Sequence, residues 1–374
     1  MDSDKEISLN RKRKPSAEGS QIIFNDKDLT SLLLRSDVSL EEREKNLLLE
    51  AYDEYGRSFF YDLSENNRIV PFAAQIFISL ACDVSFWSEK LQFYIKRNES
   101  IRDLLEDIFS KADHYSCKSV TLTENFAVVL TTGICIGCFS SGDVDLSADL
   151  MEKDKITKWL NSFGFFSKEQ PDQIGEYSGQ SMQFHNPEII EEGFWINVIW
   201  KPVTRAFLIQ DKYDKRLSSD RLLAKTKEGS NIRILNDTSL LYFCALHISA
   251  GHYYTLSPGL RLYVDLDRLV RNNNIDWSSI DKWEDEDNAG IRISVALYLS
   301  HLLLKTPIPK SVIQRALVNN RSKGLINYLY NSETNQIQGK SSKIRRLYVE
   351  LASDNKFIVT NFFSRIFQLI RSKI

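Results

Sequence analysis

The chain has 374 residues, of which 43% are apolar and 26% charged, with a formal net charge of −2. These values exclude a fully disordered or fibrous chain and give no overall field that draws in a polyanion, so no nucleic-acid partner is expected. The length is that of about two to three domains.

Within residues 1–25 the stretch Met1–Ser20 is polar, with a basic cluster Arg11-Lys12-Arg13-Lys14 and no apolar signal-type segment behind it. They do not read as a secretory signal and are expected to form a disordered tail. No window reaches the roughly 18 uncharged apolar residues that a transmembrane segment needs. The five cysteines, Cys82, Cys117, Cys135, Cys138 and Cys244, sit mostly in apolar runs, as reduced thiols do. A cytoplasmic protein is expected.

Residues 26–114 read as a helical N-terminal domain, with apolar positions recurring at three and four and start signals at Ser39-Leu40-Glu41-Glu42 and Ser100-Ile101-Arg102-Asp103. Residues 115–236 change period and read as an α/β core. Strands are expected at Ser119–Leu122, Phe126–Thr131, Asp143–Leu146, Met182–His185 and Phe194–Trp200, with a helix over Asp149–Phe163 that stops at Gly164. That makes a sheet of four or five strands. Residues 237–374 return to helix at Ser239–Tyr253, Leu260–Arg271, Ala289–Leu304, Ser311–Val318 and Lys356–Arg371. The plan is helical, α/β, helical.

Within the core, Asp143-Val144-Asp145 on a strand projects two carboxylates from one face while Val144 and Leu146 turn inward. Adjacent carboxylates repel, and a cation between them relieves this. Mg²⁺ is commonly held by one or two carboxylates plus substrate phosphates, so the pattern points to phosphoryl or nucleotidyl transfer. Upstream, Gly133 and Gly142 let the backbone approach a ligand, and Ser140 and Ser141 offer hydroxyls to phosphate oxygens.

Gly133 followed by Gly142-Asp143-Val144-Asp145-Leu146 resembles the signature of the DNA polymerase β-like nucleotidyltransferase superfamily. With Ile101–Ala112, Lys153–Phe163, Trp195–Trp200, Leu240–His247, Leu262–Leu266 and Ile275–Trp277, roughly Asp26 to Pro309 resembles the bacterial uncharacterised nucleotidyltransferases. The resemblance implies an α+β fold with a small mixed-sheet nucleotidyltransferase-like core between N-terminal and C-terminal helical domains. It also implies Mg²⁺, or Mn²⁺, on Asp143 and Asp145 as the catalytic pair. A nucleoside triphosphate would be cradled by Gly133, Ser140, Ser141 and Gly142, and a nucleotide would pass to a small-molecule or protein/peptide acceptor with release of pyrophosphate. Lys201 or Arg205, near a strand end, would offset charge on the leaving group.

The sequence departs from that pattern. Asn197 stands where a third carboxylate is usual, Ile199 replaces a histidine, Thr132 stands at a common lysine, and Ile134 at a serine or glycine. An amide adds no negative charge and is no general base. Two readings therefore stay open, an active transferase and a catalytically degenerate scaffold of the same fold. An acidic side chain from Glu191, Glu192 or Asp149 reaching the pair would favour the first.

Three other patterns receive plainer readings. Cys135-Ile136-Gly137-Cys138 has C-x-x-C spacing but no second pair for zinc, and both thiols are expected as small buried residues. His247 and His252, five apart, do not share an α-helical face and are expected as core or helix-end residues. The amphipathic stretch Phe357–Ile374 and the basic run Lys340–Arg346 are expected to pack on the C-terminal helices and to form a solvated face, respectively.

Overall fold

The computed structural model describes residues 12–13, 22–23, 26–35, 40–167, 181–189, 193–200, 224–226, 229–256, 259–272, 274–331 and 348–353. Lys12–Arg13 pairs antiparallel with Ile22–Ile23 as a short ribbon. Four helices follow: α1 (Asp26–Leu33), α2 (Glu42–Asn66), α3 (Val70–Ser79) and α4 (Val84–Ser110). α2 opens on a capping box in which the Glu41 N–H donates to Glu44 Oε2 at 3.0 Å, and it breaks at Gly56, whose φ of 76° only glycine adopts easily. α4 runs unbroken through Ser100, so the start signal predicted there is helix interior. Burial of Ile101, Leu105, Ile108 and Phe109 continues the apolar stripe begun at Trp87.

The sheet has seven strands, more than the four or five predicted: β1 (Thr121–Thr123), β2 (Asp143–Ser147), β3 (Phe166–Ser167), β4 (Ser181–Asn186), β5 (Phe194–Ile199), β6 (Ala224–Thr226) and β7 (Arg233–Leu235). Their spatial order is β3-β4-β5-β2-β1-β7-β6. β2 runs parallel to β5 and β1 parallel to β7, while the other neighbours are antiparallel, so the sheet is mixed and the α+β class holds. β3, β6 and β7 are two or three residues long, too short for alternation to mark them in the sequence.

Phe126–Thr131 is not a strand. It lies in helix α5 (Glu124–Thr132), and Gly133 closes that helix with a left-handed φ of 69°. Phe126, Ala127, Val128 and Val129 are all buried, and a segment buried all round carries no periodicity to separate helix from strand. The predicted helix at 149–163 begins as a 3-10 turn, Leu150–Glu152, and continues as α6 (Lys153–Asn161).

The C-terminal helices are α7 (Asp237–Leu246), a π turn at His247–Gly251, α8 (Leu260–Asn272), α9 (Trp277–Asp287), α10 (Gly290–Leu304), α11 (Lys310–Val318) and α12 (Asn320–Asn331). They clasp the N-terminal ones. Lys27 Nζ donates to the Tyr330 carbonyl at 2.9 Å, Arg268 Nη2 to the Leu34 carbonyl at 2.8 Å, and Lys305 pairs with Glu41 at 2.6 Å and Glu44 at 3.0 Å. Glu191, Glu192, Lys201, Arg205, the Lys340–Arg346 run and the predicted Lys356–Arg371 helix lie outside the described residues. Among the described residues no helix is long and apolar enough to cross a membrane.

Candidate active site

The aspartates sit on β2 at the middle of the sheet. Val144 and Leu146 are buried while Asp143 and Asp145 are half-buried, so strand parity sends both carboxylates to the open face. The parallel register with β5 sets Asp145 opposite Asn197. The Asn197 amide nitrogen then donates to both carboxylates, to Asp143 Oδ2 at 2.6 Å and to Asp145 Oδ1 at 3.1 Å. One neutral donor thus spans the gap between two anions. Its own carbonyl oxygen, Oδ1, is buried and has no hydrogen-bond partner among the described residues, which is costly for a polar atom unless something else meets it.

A frame of hydrogen bonds fixes this strand. Ser141, which is buried, donates through Oγ to Asp143 Oδ1, so its hydroxyl orients the carboxylate. Ser140 Oγ donates instead to the Arg68 carbonyl. Arg97 Nη2 donates to the Ser141 carbonyl at 2.7 Å, and the buried Asn98 amide donates to the Ile136 and Phe139 carbonyls, each at 2.7 Å. α4 therefore pins the whole loop that leads into β2. On the other side, Thr123 Oγ1 donates to the Asp145 carbonyl at 3.2 Å. We expect Asn98→Ala, which strands two carbonyls, to lower stability by about 1–3 kcal/mol in urea unfolding; a loss near zero would mean that solvent replaces both bonds.

Gly133 and Gly142 are not crowded: a Cβ added at either would meet nothing within 4 Å. Gly133 is required by its positive φ at the end of α5, so the predicted glycine turn between a strand and the aspartates is a helix C-cap. The strand-to-helix turn beside β2 lies earlier, at Thr123-Glu124. Thr123 is the register partner of Asp145, and Glu124 adopts φ 58°, a strained value for glutamate. Asp149 does not join the pair; its side chain accepts from the Met151 N–H at 2.9 Å and caps the 3-10 turn.

Glu124 opens a second buried cluster that the sequence did not show. His247 Nδ1 stands 3.1 Å from Glu124 Oε1, and His247 Nε2 stands 2.7 Å from His252 Nε2. Both histidines stand at helix ends, as expected, but they meet because His247–Gly251 is a π turn, whose i to i+5 bonding aligns residues that an α-helix would not; the His252 N–H donates to the His247 carbonyl at 3.1 Å. Asp265 lines the same small cavity with Cys244, and burial pushes its carboxyl up to about 7.

The donor set at Asp143 and Asp145 suits a magnesium ion: hard oxygen ligands, two carboxylates already drawn together, and an amide carbonyl nearby that has no partner among the described residues. Among the described residues no group of three or more His, Cys, Asp or Glu side chains is placed to hold a metal, so the pair would share the ion with substrate oxygens. Asn197, at the third position, contributes no charge.

No curated protein and no solved structure matches the chain significantly. A family model described as uncharacterised nucleotidyltransferase matches residues 60–305, about two thirds of the 374 residues, and spans both aspartates and the sheet that carries them. The chain belongs to this uncharacterised nucleotidyltransferase family.

Proposed function

We propose that the protein is a Mg²⁺-dependent transferase that moves a nucleotide from a nucleoside triphosphate to a small-molecule or protein/peptide acceptor, releasing pyrophosphate. The observation that carries this reading is the carboxylate pair Asp143 and Asp145, converged on one amide nitrogen at the centre of the sheet. These two side chains would hold the metal, for which Mn²⁺ is a substitute; bound there, it would supply positive charge against the phosphates of the triphosphate. Ser141 keeps Asp143 turned toward the site. Gly142 and Ser140 lie where the loop enters β2, and the Ser140 hydroxyl must exchange its bond to the Arg68 carbonyl to serve a phosphate. Lys201 follows β5 by two residues and is assigned to the leaving phosphates.

Asn197 narrows the acceptor. No proton acceptor stands at the third position, so the acceptor that suits the site arrives already ionised, as a phosphate or a carboxylate. The test is calorimetric titration of ATP, GTP, CTP and UTP with Mg²⁺ into the wild type and the Asp143→Ala/Asp145→Ala double variant. Metal-dependent binding present only in the wild type is expected. If no triphosphate binds, the second reading holds: a scaffold in which the Asn197 amide permanently takes the cation's place.

Asn197→Asp separates the two further. It removes the bridging donor and sets a third carboxylate beside the pair, so the metal-free variant should be less stable by about 1–3 kcal/mol while its Mg²⁺ or Mn²⁺ affinity rises about tenfold or more. Calorimetry with each metal alone and thermal unfolding read both quantities. Destabilisation without a gain in metal affinity would count against a cation site.

A further inference from the structure

Cys135 caps and Cys138 ends one 3-10 turn, Ile136–Cys138, in the loop between α5 and β2. The Cys138 N–H donates to the Cys135 carbonyl at 2.8 Å, and in such a turn residues three apart stand on the same side. The Gly137 and Cys138 backbone N–H groups and the Gln75 side chain from α3 act on Cys135 in the direction that favours its charged form. Such an array of donors stabilises a thiolate. The turn cannot easily relax: a Cβ at Gly137 would lie 2.9 Å from Ile95 Cγ1, and Asn98 holds the carbonyls of Ile136 and Phe139.

The two thiols differ in environment. Cys135 is half-buried, and the neighbouring Cys138 thiol, followed by the backbone N–H groups and Gln75, pulls it down to about 6 against the opposing effect of burial. Cys138 is buried, and the neighbouring Cys135 together with that burial holds it protonated well above the usual thiol range. Cys82, Cys117 and Cys244 have no such partner thiol, and burial raises all three. The expectation that both members of the C-x-x-C are small buried residues fits Cys138 alone.

We propose that Cys135 and Cys138 are a redox-active dithiol, in which Cys135 meets the oxidant and Cys138 closes the disulfide. With hydrogen peroxide, the Cys135 thiolate attacks one peroxide oxygen, the O–O bond breaks, and the departing hydroxide takes a proton to leave as water. Cys135 is now a sulfenic acid. The Cys138 sulfur then attacks the Cys135 sulfur, the S–O bond breaks, and the hydroxide released takes the Cys138 proton as a second water. Two electrons pass from the two sulfurs to the peroxide. The assignment stands on the turn itself and does not rest on nucleotidyl transfer.

The test uses the full reduced chain with equimolar hydrogen peroxide, intact-mass spectrometry and peptide mapping. The wild type should lose two hydrogens and map to a Cys135–Cys138 link. Cys138→Ala, which keeps a small apolar side chain in the buried position, should stop at one added oxygen on Cys135 that dimedone captures. Cys135→Ser should react at least about tenfold more slowly, with circular dichroism confirming that each variant is folded. A link mapped to any other cysteine, or a wild-type rate equal to that of the Cys135→Ser/Cys138→Ala double variant, overturns the proposal.

Discussion

Asp145→Asn should weaken Mg²⁺-dependent triphosphate binding by about 100-fold or more while leaving the fold intact. Losing an outer-shell partner of a metal ligand already costs about 10- to 100-fold in metal affinity, so neutralising one of two ligands should cost at least the upper end of that range. The replacement is nearly isosteric. Its side-chain oxygen can still accept from Asn197 Nδ2, the Thr123 hydroxyl keeps its bond to the backbone carbonyl, and removing one of two adjacent anions relieves repulsion in the metal-free protein. The melting temperature should therefore hold or rise. Loss of binding with a steady melting temperature locates the effect at the site; unchanged binding would show that β2 carries no metal function.

Asp267→Ala should instead be among the most destabilising single changes away from the site, at about 3–5 kcal/mol. Asp267 and Arg268 are fully buried. The Asp267 carboxylate accepts from Arg268 Nη1, from Arg271 Nε at 2.9 Å and from the Thr306 hydroxyl at 2.7 Å. Burial alone disfavours both charges, raising the carboxyl and lowering the guanidinium, and their hydrogen bonds offset that cost. Alanine removes the acceptors and takes the Asp267 charge away from the buried Arg268 guanidinium. Urea unfolding should show a lower midpoint with an unchanged slope, and Asp267→Leu/Arg268→Met should recover most of the loss by replacing the pair with apolar volume. A single-variant cost below about 1 kcal/mol would mean that water reaches the pair.

The central strand was the most legible part of the chain. Alternation over Asp143–Leu146 is enough to face two carboxylates outward, and the structure shows that burial pattern. The same rule cannot assign Phe126–Val129, because a segment enclosed on every side has no polar face to report its period. Asn197 was visible as a departure from the family pattern, but its bridging of both aspartates depends on the parallel register of β2 and β5, which loops of undefined length do not disclose. The histidine pair was hidden for a different reason. Spacing arguments assume α-helical geometry, and one π turn changes which residues meet. Asn98, in the interior of a long helix, carried no mark at all of its bonds to a loop some forty residues later.

The clasp between the first and last helices has a consequence for how the chain is made. The Leu34 carbonyl waits for a guanidinium that is 234 residues further on, and Lys27 for a carbonyl 303 residues away. While the ribosome is still delivering the sheet, the amino-terminal helices lack the surfaces they finally cover, and such non-local closure is slow and leaves apolar surface open meanwhile. A nascent chain arrested before α8 should accordingly be digested readily by protease across α1, and protection there should appear only once the carboxy-terminal helices have emerged.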